Sequence, residues 1–400
     1  MKSKKKRILF VTVLPLWSLG NKSGGRALYS TINHYIDNGY DVLLITDKKI
    51  DYNLTNLDAK NVFYIDTSYF TSKFGIKKIG YIFKVLYVRY FKHQVDMIFK
   101  SLDKNNLLIY AYEVHAVMAC KNLAKKYNLP LVTRFQGTIM ANKKYNLINK
   151  IRFYPHFQAL ATPSNLIIMT NDGTQGNAVL KACNNISPVL FIRNGVNILD
   201  NNVNMERDNE LIKKLNIQNK TVLLTVSRLE TWKKVERAIY TLYELKNTKY
   251  YLIIVGDGAM MDSLKSLVAE LNLTNQVTFT GAIPNSDVYR YMLIADIFLS
   301  FYDLSNVGNP LLEALCLGKA IITYNVGDTN QVINGSNGIL LDNVEPKHIA
   351  SVIKGLSDKD IKKYGEKAKE YADANLYSWK KRMMIEEEKV MEVFDEFFGE

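Results

Sequence analysis

Short apolar runs rich in β-branched residues recur along the whole chain, and longer segments with helical spacing separate them. In the first half the runs are RILFVTVL (7–14), DVLLIT (41–46), VFYID (62–66), LLIY (107–110), LVTR (131–134), QALAT (158–162) and VLFIR (189–193). In the second half they are TVLLTVS (221–227), YYLIIVG (250–256), QVTFT (276–280), DIFLS (296–300), AIIT (320–323) and GILL (338–341). Most are continuously apolar, as expected of parallel strands covered on both faces. Helical patterns at 259–272, 285–294 and 308–317 lie between them. This alternation predicts an α/β fold with a doubly wound sheet, and it occurs twice.

A length of 400 residues suits two domains rather than one core. The polar stretch 194–208 reads as the boundary, giving domains at 1–197 and 198–375 and a last segment at 376–400. In that segment Ser378 can cap a helix over 378–398. Two such sheets joined end to end place a ligand between them, at the carboxyl ends of the strands.

Composition removes other classes. Hydrophobic residues at 48% and charged ones at 23% exclude a disordered chain, and 21 glycines with 8 prolines are too few for a linker. Cys120, Cys183 and Cys316 lie far apart with no CxxC, which argues against a disulfide framework or a structural zinc site and fits a reducing compartment. MKSKKKR followed by ILFVTVLPLW has the basic head and apolar stretch of a signal peptide. LGNKSGG stands where a cleavage site is expected, so a first strand entered from a basic arm is the preferred reading. No run approaches the ~20 apolar residues of a spanning helix. The expected location is cytoplasmic, peripheral on the inner face of the membrane.

The net charge of +13 is unevenly placed. Residues 1–200 hold 28 Lys and Arg against 11 Asp and Glu, whereas residues 201–400 hold 24 against 28. The first half is therefore suited to an anionic partner. Residues 73–100 carry seven Lys or Arg and one Asp, interleaved with Tyr81, Phe83, Tyr87, Tyr90 and Phe91. A second basic patch follows at 142–152. A basic, aromatic-rich amphipathic helix suits an anionic membrane surface. Nucleic acid is the rival, but no nucleic-acid-binding motif is present, and a solvated basic face is the plain alternative.

Three motifs carry chemistry. Ser23-Gly24-Gly25-Arg26 follows the first strand, where two glycines either let backbone amides approach a phosphate or form a tight turn. Arg228 lies just past a strand with Lys233 five residues on, a pair suited to a leaving diphosphate or to a solvated loop. Glu313 sits one turn into a largely apolar helix, as a ligand for vicinal hydroxyls or as a helix-dipole residue.

In combination these segments resemble the family 4 retaining glycosyltransferases of GT-B architecture, over nearly the whole chain. The resemblance rests on the Gly-Gly loop, Thr162-Pro163-Ser164, Asn194-Gly195-Val196, SRLETWK, the IIVGDG run at 253–258, GAIPNSDVYRYMLIADIFLS, GNPLLEALCLGKAIIT and NGSNGILL at 334–341. It implies two Rossmann-like domains facing across a cleft, the first for acceptor and membrane and the second for the nucleotide-sugar donor, with the C-terminal helix packing back on the first. Arg228 and Lys233 would bind the donor diphosphate, Glu313 the ribose, and Gly24 and Gly25 would close over the diphosphate. Backbone amides from Asn306 through Val307 and Gly308 to Asn309 would contact the donor sugar. The resemblance also implies that no cofactor and no metal are needed, since the two cations neutralise the charge.

The chain departs from that family at informative places. The earlier of its two glutamates, eight positions apart, falls on Ser305, and the glycine after the lysine is Lys234. The histidine of the fourth-strand loop falls on Tyr112, with Glu113 beside it and His115 three positions on. The histidine of the His-Gly turn falls on Gln136. The resulting expectation is a retaining glycosyltransferase acting on a glycan or lipid-linked glycan acceptor in surface polysaccharide synthesis. The alternatives are a GT-B nucleotide-sugar epimerase and a donor-degenerate, non-catalytic partner subunit.

Overall fold

The computed structural model describes residues 5–14, 26–50, 52, 55–68, 81–141, 143–199 and 206–399. A first parallel sheet contains β1 (Arg7–Thr12), β2 (Asp41–Thr46), β3 (Val62–Tyr64), β4 (Leu107–Tyr112), β5 (Leu131–Phe135), β6 (Leu166–Thr170) and β7 (Val189–Ile192), in the order β3-β2-β1-β4-β5-β6-β7. A second holds β8 (Thr221–Val226), β9 (Tyr250–Val255), β10 (Val277–Gly281), β11 (Ile297–Ser300), β12 (Ala320–Tyr324) and β13 (Ile339–Leu341), ordered β10-β9-β8-β11-β12-β13. Each order reverses once, between β1 and β4 and between β8 and β11. Such reversals open a crevice at the carboxyl ends of the strands.

The strands read as continuous apolar runs because both faces are covered. Leu9 and Val11 join one core with Ile109 and Ala111, while Ile8 and Phe10 join another with Leu108 and Tyr110. That second core is completed from the far end of the chain. The helix Trp379–Phe398 supplies Trp379, Met383, Val390 and Phe394, so the C-terminal helix does return to the first domain. The two passages between domains touch where Val196 N donates to Tyr377 O at 2.9 Å.

The returning helix also buries charge. Arg134 on β5 pairs with Glu386 at 3.1 Å, Arg382 pairs with the same carboxylate, and Tyr110 donates to it at 2.5 Å. All three charged side chains are fully buried. The neighbouring arginines hold the Glu386 carboxyl below its ordinary range despite burial.

The segment QALAT is not a strand. It ends the helix Tyr154–Leu160, with a proline in the first turn and Thr162 Oγ1 donating to the Gln158 carbonyl past its end. The strand of this region is β6, LIIMT. Among the described residues no helix is long and apolar enough to cross a membrane.

The basic segment 73–100 is described only from residue 81, as the helix Tyr81–Ser101, with side chains from residue 85. Its aromatic face points inward. Phe91 and Phe99 lie in the core with Val88 and Val95, and Tyr90 donates to Asp66 O at 2.9 Å. Leu86 and Met97 of this helix are exposed, and a denser exposed apolar group lies on the short helix Leu147–Arg152, where Leu147 and Ile148 are 73% and 74% exposed.

Candidate functional site

The loop after β8 carries Arg228 and Lys233. Leu229 is buried and holds the loop down, while its N–H donates to Asp257 O at 2.9 Å. The glycine before Asp257 explains the IIVGDG run. Gly256 has φ +130, and a Cβ there would meet Ser227 O at 1.9 Å, so only glycine lets the two backbones meet. Lys233 ends a 3₁₀ turn, Thr231–Lys233, and the next residue, Lys234, is left-handed at φ 51. The lysine thus keeps the backbone conformation that a glycine would adopt freely at this position.

The Lys233 ammonium lies 4.2 Å from the Trp232 ring and 4.0 Å from the Tyr302 ring. Neighbouring Arg237 and Lys234 are paired with Asp303, but among the described residues Lys233 makes no ion pair. Burial pushes Lys233 down to about 7, and Arg228 pushes the same way, while Asp172 opposes them. Arg228 itself is exposed, its guanidinium 5.9 Å from the Trp232 ring. Both cations stand past the carboxyl end of β8, at the second reversal point.

The loop after β11 is the other wall. Asn306 is buried, and its side chain accepts from Ser300 and from Tyr302 N and donates to Tyr324 O, so it pins the loop. Ser305 is left-handed at φ 58, and its hydroxyl donates to Asp172 Oδ2 at 2.7 Å. Val307 N donates to Asp172 O at 3.1 Å, so this amide is committed across the cleft in the present conformation. Gly308 caps the helix Asn309–Cys316, and Asn309 accepts from Asn194 Nδ2 at 3.0 Å. Glu313 on that helix is only 3% exposed, with Tyr289 OH donating to it at 3.4 Å.

On the first domain, Tyr112 ends β4 and Glu113 follows at φ 74, ψ 168, a region costing a non-glycine residue of order 1–3 kcal/mol. Glu113 Oε1 accepts from Gln136 N at 2.7 Å, and Gln136 Nε2 donates to Tyr112 OH at 2.6 Å. These three residues form one cluster. Burial pushes Glu113 up to about 7, with Asp172 adding to the rise. The His115 ring packs edge-on to Tyr87 at 5.6 Å. Gly24 and Gly25 lie outside the described residues. Among the described residues no three His, Cys, Asp or Glu side chains gather to hold a metal ion.

The family model described as glycosyl transferases group 1 matches residues 207–374, the stretch holding the loops after β8 and β11. The second domain is a group 1 glycosyltransferase domain. Over 171 residues the chain is 36% identical to an uncharacterized glycosyltransferase of Methanocaldococcus jannaschii, covering 41% of this chain and 43% of that one. It is 29% identical over 135 residues to the alpha-monoglucosyldiacylglycerol synthase of Streptococcus pneumoniae, covering 33% of this chain and 31% of that one. The match thus spans well under half the length of either relative. The fold likeness runs further: the Anabaena protein HepE, solved with UDP and glucose, superposes with a TM-score of 0.72 at 17% identity, covering 96% of this chain and 99% of that one. The architecture is GT-B.

Sequence reasoning missed one residue that this glycosyltransferase fold brings to the centre. Asp172, in the loop after β6, touches Ser305 and Val307 of the opposite domain. The available signal was Asn-Asp-Gly closing the apolar run LIIMT. Placing the strand at 158–162 hid it.

Proposed function

We propose that the chain is a retaining, metal-independent glycosyltransferase that moves a sugar from a nucleotide-sugar to a hydroxyl of a glycan or lipid-linked glycan. The observation that carries this reading is the placement of Arg228 and Lys233 at the carboxyl end of β8, at a sheet reversal point, with Lys233 held on two aromatic faces. Fixed cations there neutralise the charge that grows on a departing diphosphate. The diphosphate takes the acceptor proton on the same face, so no strong protein base is needed. Glu313 holds the ribose, and the Tyr112–Glu113–Gln136 cluster faces the acceptor side. A relative named for a diacylglycerol product and a fold neighbour bound to UDP and glucose support a lipid-linked acceptor and a nucleotide-sugar donor.

The enzyme works at the cytoplasmic face of an anionic membrane. Its contact is the helix Leu147–Arg152, where exposed Leu147, Ile148 and Ile151 alternate with exposed Lys150 and Arg152. Apolar side chains enter the headgroup boundary while the cations meet phosphates. The test is a thermal-shift screen against nucleotide-sugars, where a ligand at 100 times its Kd adds ~2.7 kcal/mol. Transfer to a supplied acceptor with retained anomeric configuration, insensitive to chelator, is then expected. Absence of transfer would favour the epimerase or the partner-subunit reading.

A further inference from the structure

We propose that the Asp172 carboxylate holds hydroxyls of the transferred sugar and so determines donor choice from the opposite domain. This rests on the glycosyltransferase reading above. Three loops meet on this one side chain. Its Oδ1 accepts from Thr174 N at 3.2 Å and from Thr174 Oγ1 at 2.5 Å, and Thr174 Oγ1 in turn accepts from Thr138 N at 2.9 Å. Its Oδ2 accepts from Ser305 Oγ at 2.7 Å. Gly137 packs against it so closely that a Cβ there would lie 2.3 Å from Oδ2. The backbone is clamped as well, with Val307 N on Asp172 O and Asp328 N on Gly173 O at 3.2 Å.

The arrangement is costly for a purely structural residue. Asp172 is 9% exposed, and among the described residues it has neutral donors and no ion pair. Burying a carboxylate without a cation is unfavourable, and an asparagine would satisfy most of the same bonds. A carboxylate offers about four acceptor sites, of which three are filled here. The second domain meets this carboxylate with a hydroxyl, Ser305, rather than with a charge. Ser305, the partner of Asp172, lies three residues after Tyr302, whose ring carries the Lys233 ammonium at 4.0 Å, so the seam adjoins the cation assigned to the diphosphate. A sugar joined to that diphosphate brings its hydroxyls to this seam, where charge-assisted hydrogen bonds discriminate among them.

The experiment compares affinity for a nucleoside diphosphate with affinity for the matching nucleotide-sugar, by calorimetry, alongside donor kinetics. In Asp172→Asn, diphosphate affinity should stay within about twofold, nucleotide-sugar affinity should fall about 30-fold, and the ranking of donors should change. Adding Ser305→Glu, which moves the carboxylate to the second domain, should recover about tenfold. A structural role would lower both affinities together and gain nothing from the relocated charge. An unchanged ratio of the two affinities in Asp172→Asn overturns the proposal. If Asp172→Asn does not fold, Ser305→Ala serves: a fall of about fivefold in sugar affinity alone supports the proposal, and an unchanged ratio overturns it. A wild-type chain that binds no nucleotide-sugar overturns the glycosyltransferase reading itself, and this proposal with it.

Discussion

The ammonium of Lys233 rests 4.0 Å above the ring of Tyr302, whose own hydroxyl is tied to Val226 O at 2.8 Å. The tyrosine belongs to the loop after β11 and the lysine to the loop after β8. The two strands flanking the reversal point therefore fix one cation jointly. Such a cation needs no reorganisation when charge develops on a leaving diphosphate.

Replacing Lys233 or Arg228 by alanine should lower turnover roughly 10²–10³-fold with folding intact. A pH effect follows from the low value of Lys233, about 7 in the free protein. A bound diphosphate favours the charged form, so above pH 7 binding must take up a proton and affinity falls with rising pH. Calorimetry in buffers of different ionisation heat at pH 8 should show that uptake in the wild type and none in Lys233→Arg, whose guanidinium is always charged.

Glu313 is buried beside Tyr289, whereas Ser305 faces the seam with Asp172. Glu313→Gln should therefore weaken free nucleoside diphosphate binding more than Ser305→Ala does. Calorimetry with both variants decides it. Equal affinity for wild type and Glu313→Gln would leave the glutamate a helix residue.

Glu113 makes stability depend on pH. Its carboxyl is raised from 4.5 to about 7, chiefly by burial. Between those values the native protein keeps a proton that the unfolded chain has released. This contribution is complete below about 4.5 and lost as pH rises through about 7. Glu113→Gln removes the titration while keeping an acceptor for Gln136 N. Its melting temperature relative to wild type should rise between pH 5 and pH 8, and parallel curves would show that Glu113 ionises in the native protein as it does in the unfolded chain.

Binding to anionic vesicles should depend more on Leu147, Ile148 and Ile151 than on the helix after residue 81. Replacing all three by serine should abolish co-sedimentation, since burying such a side chain is worth about 1.5–3 kcal/mol. Changing Lys77, Lys78, Lys84 and Arg89 to glutamine tests the other basic segment, at ~1 kcal/mol per charge if all four reach the surface. Lys77 and Lys78 lie outside the described residues, while Arg89 is exposed. Wild-type binding that ignores lipid charge and salt would remove the anionic surface from this account, and no binding to vesicles at all would remove the membrane.

Much of the fold was legible because strands covered on both faces leave uninterrupted apolar runs, as at Ile8–Val11 and Leu252–Val255. The SRLETWK and IIVGDG motifs stand out for a related reason: backbone contacts such as that of Gly256 against Ser227 impose residue types locally. QALAT misled because apolar composition does not separate a short buried helix from a strand, and a proline in its first turn decides for the helix. The aromatic residues at 87–99 looked like a membrane face because amphipathicity shows which side is apolar but not what covers it. Asp172 and Ser305, 133 residues apart, carry no sequence sign that they meet. Nor do Arg134 and Glu386, 252 apart.

That last separation bears on how the protein is made. The first domain is synthesised first, yet one face of its sheet lacks Trp379, Met383, Val390 and Phe394 until the ribosome has passed them. Until then Arg134 is an uncompensated cation in the middle of a β-sheet, with Glu386 still to come. The first domain therefore cannot finish folding before the second has been translated, reversing the usual order for a chain built domain by domain. A nascent chain halted after residue 375 would present an open, charged sheet face, a natural client for a chaperone.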